Sequence, residues 1–185
     1  IYSAEDPLKP SDNYTTHKAE IEQELRNRSL PWVIVRIGVS VDARTLKTDR
    51  ATFSKLLKVS ADNPMEYVHP KDVALAMCNA VAQPKAIGKV LLLGGGKNCQ
   101  IDQHTFLGIA FAAFGLKLPF SVHGTDGFYT HWMDTTESQA LLQFQRHSID
   151  DYRQEMNDKV KAVRCVLKPL SFLINPILPF VLKKL

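Results

Sequence analysis

Hydrophobic positions along the chain alternate between helical and strand periods. After a loop of Pro, Ser and Asp over 1–13, Tyr14, Lys18, Ile21 and Leu25 recur at i, i+4, i+7 and i+11. That spacing predicts a helix from 14 to about 28, with this stripe turned toward the core. Ser11 or Asp12 is placed to cap it. Pro31 blocks continuation, and the β-branched run 32–36 reads as a buried strand. Residues 50–59 make one helix with Phe53, Leu56 and Leu57 on its apolar side. A brief strand follows at 65–68. Pro70 then stands in the first turn of a helix whose stripe is Val73, Met77, Ala80 and Val81. Residues 89–93 form a second buried strand, ended by Gly94-Gly95-Gly96, and 102–115 form a helix closed by Gly115.

Helices alternating with apolar strands predict an α/β architecture with parallel strands and right-handed crossovers. Two firm strands do not make a covered parallel sheet. The neighbouring strands are therefore expected in sequence outside these 185 residues. The chain opens on Ile1 with no secretory pattern behind it, and no run of 18 apolar residues occurs.

Composition is that of an ordinary globular chain, 45% hydrophobic and 23% charged. The net charge of +4 is unevenly placed. Residues 159–185 hold six basic groups and no acid, while the other residues hold 17 basic and 19 acidic. A near-neutral body gives nucleic-acid binding no support. The tail mixes its cations with Val, Leu, Ile and Phe and is interrupted by Pro169, Pro176 and Pro179. It fits a peripheral contact with a membrane surface, and equally a contact with the body or another subunit through 160–185. Cys78, Cys99 and Cys165 lack metal-ligand spacing and cannot all pair. No metal site is expected, and a reducing, cytoplasmic compartment is. No partner at readable spacing stands beside His123, His131 or His147.

One pair carries candidate chemistry. Tyr14-x-x-x-Lys18 places a phenol and an ammonium one helical turn apart, on one face. A neighbouring cation favours a phenolate, which makes Tyr a general acid or base nearer neutral pH. Lysine also has three donors for ribose hydroxyls. Spacing alone is weak: the composition gives roughly 0.4 chance matches. The chain supplies a decoy in Tyr67-Val-His-Pro-Lys71, where Pro70 spoils the one-turn geometry.

Several segments in order resemble the short-chain dehydrogenase/reductase superfamily, in the extended or atypical branch that includes NAD-dependent epimerases and dehydratases. Ile1-Tyr2-Ser3 is similar to the Val-Tyr-Gly that follows the fifth strand. Tyr14-x-x-x-Lys18-Ala-Glu20 resembles the catalytic helix, and Pro31-Trp-Val-Ile-Val-Arg36-Ile-Gly38 the sixth strand. Tyr67-Val-His-Pro-Lys-Asp72-Val-Ala74 is similar to the family's Val-His-Val-Asp-Asp-Val-Ala, and 89–96 to the seventh strand. Residues 134–144 resemble the terminal pattern, with Gln143 where glycine is usual.

The resemblance implies the C-terminal part of a doubly wound Rossmann-type parallel sheet with a smaller, mostly helical substrate domain. Residues 1–37 and 65–96 would belong to the dinucleotide-binding part, and 38–64 and 97–158 to the substrate side. Residues 159–185 would be a tail. It implies NAD or NADP as cofactor and a small-molecule substrate bearing a hydroxyl or ketone. Tyr14 would be the acid/base, Lys18 would bind the nicotinamide ribose, and the backbone at Ile37 and Gly38 would border the nicotinamide. The glycine-rich phosphate loop and the catalytic Ser/Thr would lie upstream of Ile1, in an N-terminal half that partners this one. Gly94-Gly95-Gly96 reads as a turn after a strand. Asn63-Pro64-Met65-Glu66 and Gly38-Val39 depart from the residues nucleotide-sugar enzymes carry there. Phe128-Tyr129 and Trp132-Met133 fit an apolar substrate pocket or packing beneath it. A non-catalytic nucleotide-binding sensor or structural subunit of the same fold is the alternative function.

Overall fold

A computed structural model describes residues 1–184. Helix α1 (Asn13–Arg26) is capped by Asp12, whose carboxylate accepts the Thr15 N–H at 2.7 Å. The chain then enters β1 (Ile34–Ile37), turns at Gly38, and continues as β2 (Val39–Ser40). A 3-10 turn, Ala43–Lys47, leads to α2 (Arg50–Lys58), β3 (Pro64–Val68) and α3 (Pro70–Ala82). Strands β4 (Val90–Leu93) and β5 (Gln100–Asp102) precede α4 (Gln103–Ala113). Helices α5 (Thr136–Leu142), α6 (Ile149–Lys159), α7 (Lys161–Leu167) and α8 (Ser171–Leu182) complete the chain.

The expected strands exist and pair in parallel: Ile34 lies opposite Val90 and Ile37 opposite Leu93. A second, mixed sheet has the order β2–β3–β5, with β2 parallel and β5 antiparallel to β3. Gly38 is the crossing point between the two sheets. Its N–H donates to the Leu93 carbonyl at 2.9 Å, and a Cβ there would stand 2.6 Å from the Glu66 carbonyl oxygen. Glycine is required by that close approach.

Two apolar cores result. One gathers Leu57, Met65, Tyr67, Phe106, Tyr152 and Met156 from α2, β3, α4 and α6. The other packs Val68, Val73, Leu91, Leu93, Leu142 and Phe144 around β4 and α3. Burial raises the phenol pKa of both Tyr67 and Tyr152, and the two hydroxyls bond the Val41 carbonyl and the Thr45 hydroxyl. Cys99 is buried and its thiol is pushed up to about 12, chiefly by burial, while Cys78 and Cys165 are exposed free thiols.

Three expectations need correction. Among the described residues no side chain of α1 is buried, so the stripe of Tyr14, Lys18, Ile21 and Leu25 does not face a core. The helix turns the Glu22 side to the sheet instead. On α3 the buried face is Val73, Ala76 and Ala80, while Met77 is exposed and Val81 is 92% exposed. The period was right but the phase was off, because residues 73, 76 and 80 share a face that 77 and 81 leave. Pro176 and Pro179 do not break the tail; both lie inside α8.

Candidate functional site

Tyr14 and Lys18 occupy the first two turns of α1 and lie on one face. The Lys18 ammonium nitrogen stands 5.4 Å from the centre of the Tyr14 ring, within cation–π range. Tyr14 is 61% exposed and Lys18 is exposed. The structure thus brings the pair together and leaves it open to solvent. Helix α1 is held to β1 from its other side: Arg36 donates from Nε and Nη2 to the two carboxylate oxygens of Glu22, each at 2.9 Å. Ile37, at the end of β1, is partly exposed, and Gly38 follows it at the crossing between sheets.

The loop over 124–133 forms the neighbouring wall. Asp126 bridges to Val59 and Gly124 to Ser60, and Asn63 accepts the Phe128 N–H at 2.9 Å and donates to the Thr130 hydroxyl at 3.0 Å. Glu66, itself buried, accepts N–H groups from Gly96 at 2.9 Å and Met133 at 2.8 Å. Tyr2 forms a parallel bridge to Met133. These ties hold Phe128 and Tyr129, whose rings are 4.1 Å apart and partly exposed. The Tyr129 pKa is raised by burial first, then by the negative charge of Asp12. The loop aromatics therefore lie in electrostatic reach of the N-terminal end of α1.

A groove of about 690 Å³ runs between the N-terminal loop, α1 and the start of β4, lined by residues including Asp6, Glu22, Arg36 and Lys89. Neither Tyr14 nor Lys18 lines it. The glycines 94–96 are consumed by packing. A Cβ at Gly94 would fall 2.1 Å from the Glu66 carboxylate, and one at Gly95 2.4 Å from the Cys99 sulfur. They form a turn after β4, as read from the sequence.

Spacing in the sequence missed a second polar cluster. Asp72, buried in the first turn of α3, accepts the backbone N–H of Arg146 and of His147 at 2.9 Å each. Its other oxygen stands 2.6 Å from Nδ1 of His147. His147 stacks on buried His69 at 4.2 Å, and His69 contacts Glu155 at 3.2 Å. The partners lie 75 and 86 residues apart, so no local pattern joins them. His69 also caps α3 through Nδ1, the helix-entry role its place before Pro70 implies. The cluster fastens the 146–148 segment and α6 to α3. Among the described residues, no group of three His, Cys, Asp or Glu side chains is placed to hold a metal ion.

No family model and no curated protein matches the sequence. Solved structures do. A short-chain dehydrogenase/reductase superfamily protein from Agrobacterium tumefaciens with bound NAD superposes with a TM-score of 0.63 at 17% identity, over 88% of this chain and 60% of its own. A UDP-glucose-4-epimerase from Stenotrophomonas maltophila with bound NAD gives 0.67 at 17% identity, over 89% and 59%. A dTDP-glucose 4,6-dehydratase from Streptomyces venezuelae with NAD gives 0.67 at 18%, over 91% and 57%. The chain spans about 60% of the length of the first of these proteins and slightly less of the others. The parallel β1–β4 pair, the Gly38 crossing and the helices around them thus share the α/β, Rossmann-type fold of these three solved structures.

Proposed function

We propose that this chain is the C-terminal portion of an NAD-dependent oxidoreductase or epimerase/dehydratase acting at a hydroxyl or ketone of a small molecule. The observation that carries the reading is the Tyr14–Lys18 pair, set on one face of α1 with the ammonium over the ring. The three solved structures compared above hold NAD, which favours NAD over NADP. Bound dinucleotide would supply or accept the hydride at the substrate carbon.

The residues fit such a group by their chemistry. A phenol gives and takes a proton, and a lysine supplies three donors for vicinal hydroxyls. Tyr14 moves the proton at the substrate oxygen, to it on reduction and from it on oxidation, so charge balances as hydride moves at carbon. Lys18 would donate to the ribose of a bound dinucleotide, with its ammonium nitrogen over the phenol ring. The Ile37–Gly38 backbone would border the nicotinamide side, and Phe128 and Tyr129 would offer an apolar ledge to the substrate.

Exposure of Tyr14 is the observation favouring the rival reading, a non-catalytic nucleotide-binding subunit. Turnover and NAD affinity of Tyr14→Phe, in the protein as the cell makes it, separate the two. Loss of turnover with affinity kept supports the enzyme. NAD binding without any turnover in the unaltered protein supports the subunit.

A further inference from the structure

The last two helices carry an apolar surface that the other described residues do not cover. Apart from Ser171 and Asn175, helix α8 is apolar around its circumference, a pattern of helices covered on more than one face. One face meets the body: Leu178 is buried, Leu182 packs on the first core, and Asn175 accepts the Lys117 N–H at 3.0 Å. The opposite face presents Phe172, Leu173, Ile177, Phe180 and Val181 to solvent, with Phe172 71% and Phe180 72% exposed. Phe120, in the 3-10 turn Phe120–Val122 that α8 contacts, is exposed as well. Helix α7 meets α8 at a bend of 97° and exposes Val163 and Val166.

Charge decides what covers this face. Every charged side chain from 159 to 184 is basic: Lys159, Lys161, Arg164, Lys168, Lys183 and Lys184. A two-fold contact between copies through this face would bring the cations that flank it, Lys168, Lys183 and Lys184, toward like charge. The body, near neutral, offers little to attract them. Among the described residues no single helix is long and apolar enough to cross a membrane: the 12 residues of α8 reach about 18 Å against a hydrocarbon core of about 30 Å, and α7 and α8 reach that length only as a pair bent by 97°. Bulky apolar residues flanked only by cations match the interface of an anionic bilayer. We propose that α7 and α8 dock this protein on an anionic membrane surface, with Phe172, Ile177 and Phe180 in the acyl boundary and Lys168, Lys183 and Lys184 among the headgroups. The proposal is independent of the catalytic reading.

Sedimentation of the full chain with vesicles tests it. Pelleting with phosphatidylcholine–phosphatidylserine vesicles is expected to exceed that with phosphatidylcholine alone by about tenfold and to weaken as salt is raised. The pair Phe172→Glu with Phe180→Glu is expected to abolish pelleting, with circular dichroism unchanged because both side chains are exposed. Lys183→Glu with Lys184→Glu leaves the apolar face whole and is expected to lose the preference for phosphatidylserine. No pelleting of the unaltered chain overturns the proposal, as does equal pelleting of the Phe or Lys pair variant. A self-associated chain that the Phe pair disperses, without vesicle binding, also overturns it and assigns the face to copy–copy contact.

Discussion

Arg36 grips Glu22 through two parallel bonds of 2.9 Å, joining the last residues of β1 to the middle of α1. Because no described side chain of α1 is buried, this ion pair fixes the helix, and with it the direction in which Tyr14 and Lys18 point. Both partners are mostly shielded from solvent, so the pair is worth more than a surface bridge. Arg36→Met is expected to cost about 1–2 kcal/mol and to speed hydrogen exchange in α1 more than in α3. Uniform exchange would show that other contacts hold the helix.

Gly38 is assigned to the cofactor side by the family resemblance, but packing already requires it. A methyl group there would meet the Glu66 carbonyl at 2.6 Å and the Leu93 carbonyl at 3.4 Å. Both are backbone atoms in strands. Gly38→Ala is expected to destabilise the protein by about 1–3 kcal/mol in urea unfolding. A neutral substitution would show that the two sheets separate more easily than this geometry allows.

Gln143 caps α5 in the left-handed region, at φ 47° and ψ 48°. It stands where the family pattern expects glycine, and the backbone explains that expectation. Gln143→Gly is expected to raise stability by up to about 1 kcal/mol, the relief of strain being partly offset by the greater freedom of glycine in the unfolded chain. A loss of stability would mean that the Gln143 side chain holds something the backbone does not.

His123 has its pKa held below the ordinary 6.5 by burial, and its Nε2 lies 3.2 Å from Nδ1 of His104. The folded state therefore favours neutral His123. Above pH 6.5 both states leave it neutral and its contribution is intact. As pH falls, the unfolded chain takes up the proton first, and stability drops until the folded pKa is passed. Unfolding midpoints are expected to fall between pH 7.5 and pH 5.5, less steeply in His123→Asn. Equal slopes would remove His123 as the cause.

Local rules reached only part of this. The strands at 32–36 and 89–93 were legible as short apolar runs, and their parallel pairing from the helices between them. The N-cap at Asp12 and the α3 entry at His69-Pro70 were legible from side-chain chemistry. Of the second sheet only β3 was legible, as the brief strand at 65–68; β2 and β5 have two and three residues, too few to show a period. The Asp72–His147 contact was hidden by distance along the chain. The prolines of α8 misled, because an apolar helix lying on a body at Leu178 draws stability from packing that propensity omits. For Tyr14 and Lys18 the shared face was legible, but the direction of that face was not.

The most direct test of the catalytic reading is turnover by Tyr14→Phe in the protein as the cell makes it, followed by the absorbance of reduced nicotinamide. Tyr14 is exposed, so its loss is expected to leave stability within about 0.5 kcal/mol and NAD affinity nearly unchanged. Turnover is expected to fall by about 100-fold or more. Turnover equal to that of the unaltered protein would contradict a proton-transfer role for Tyr14.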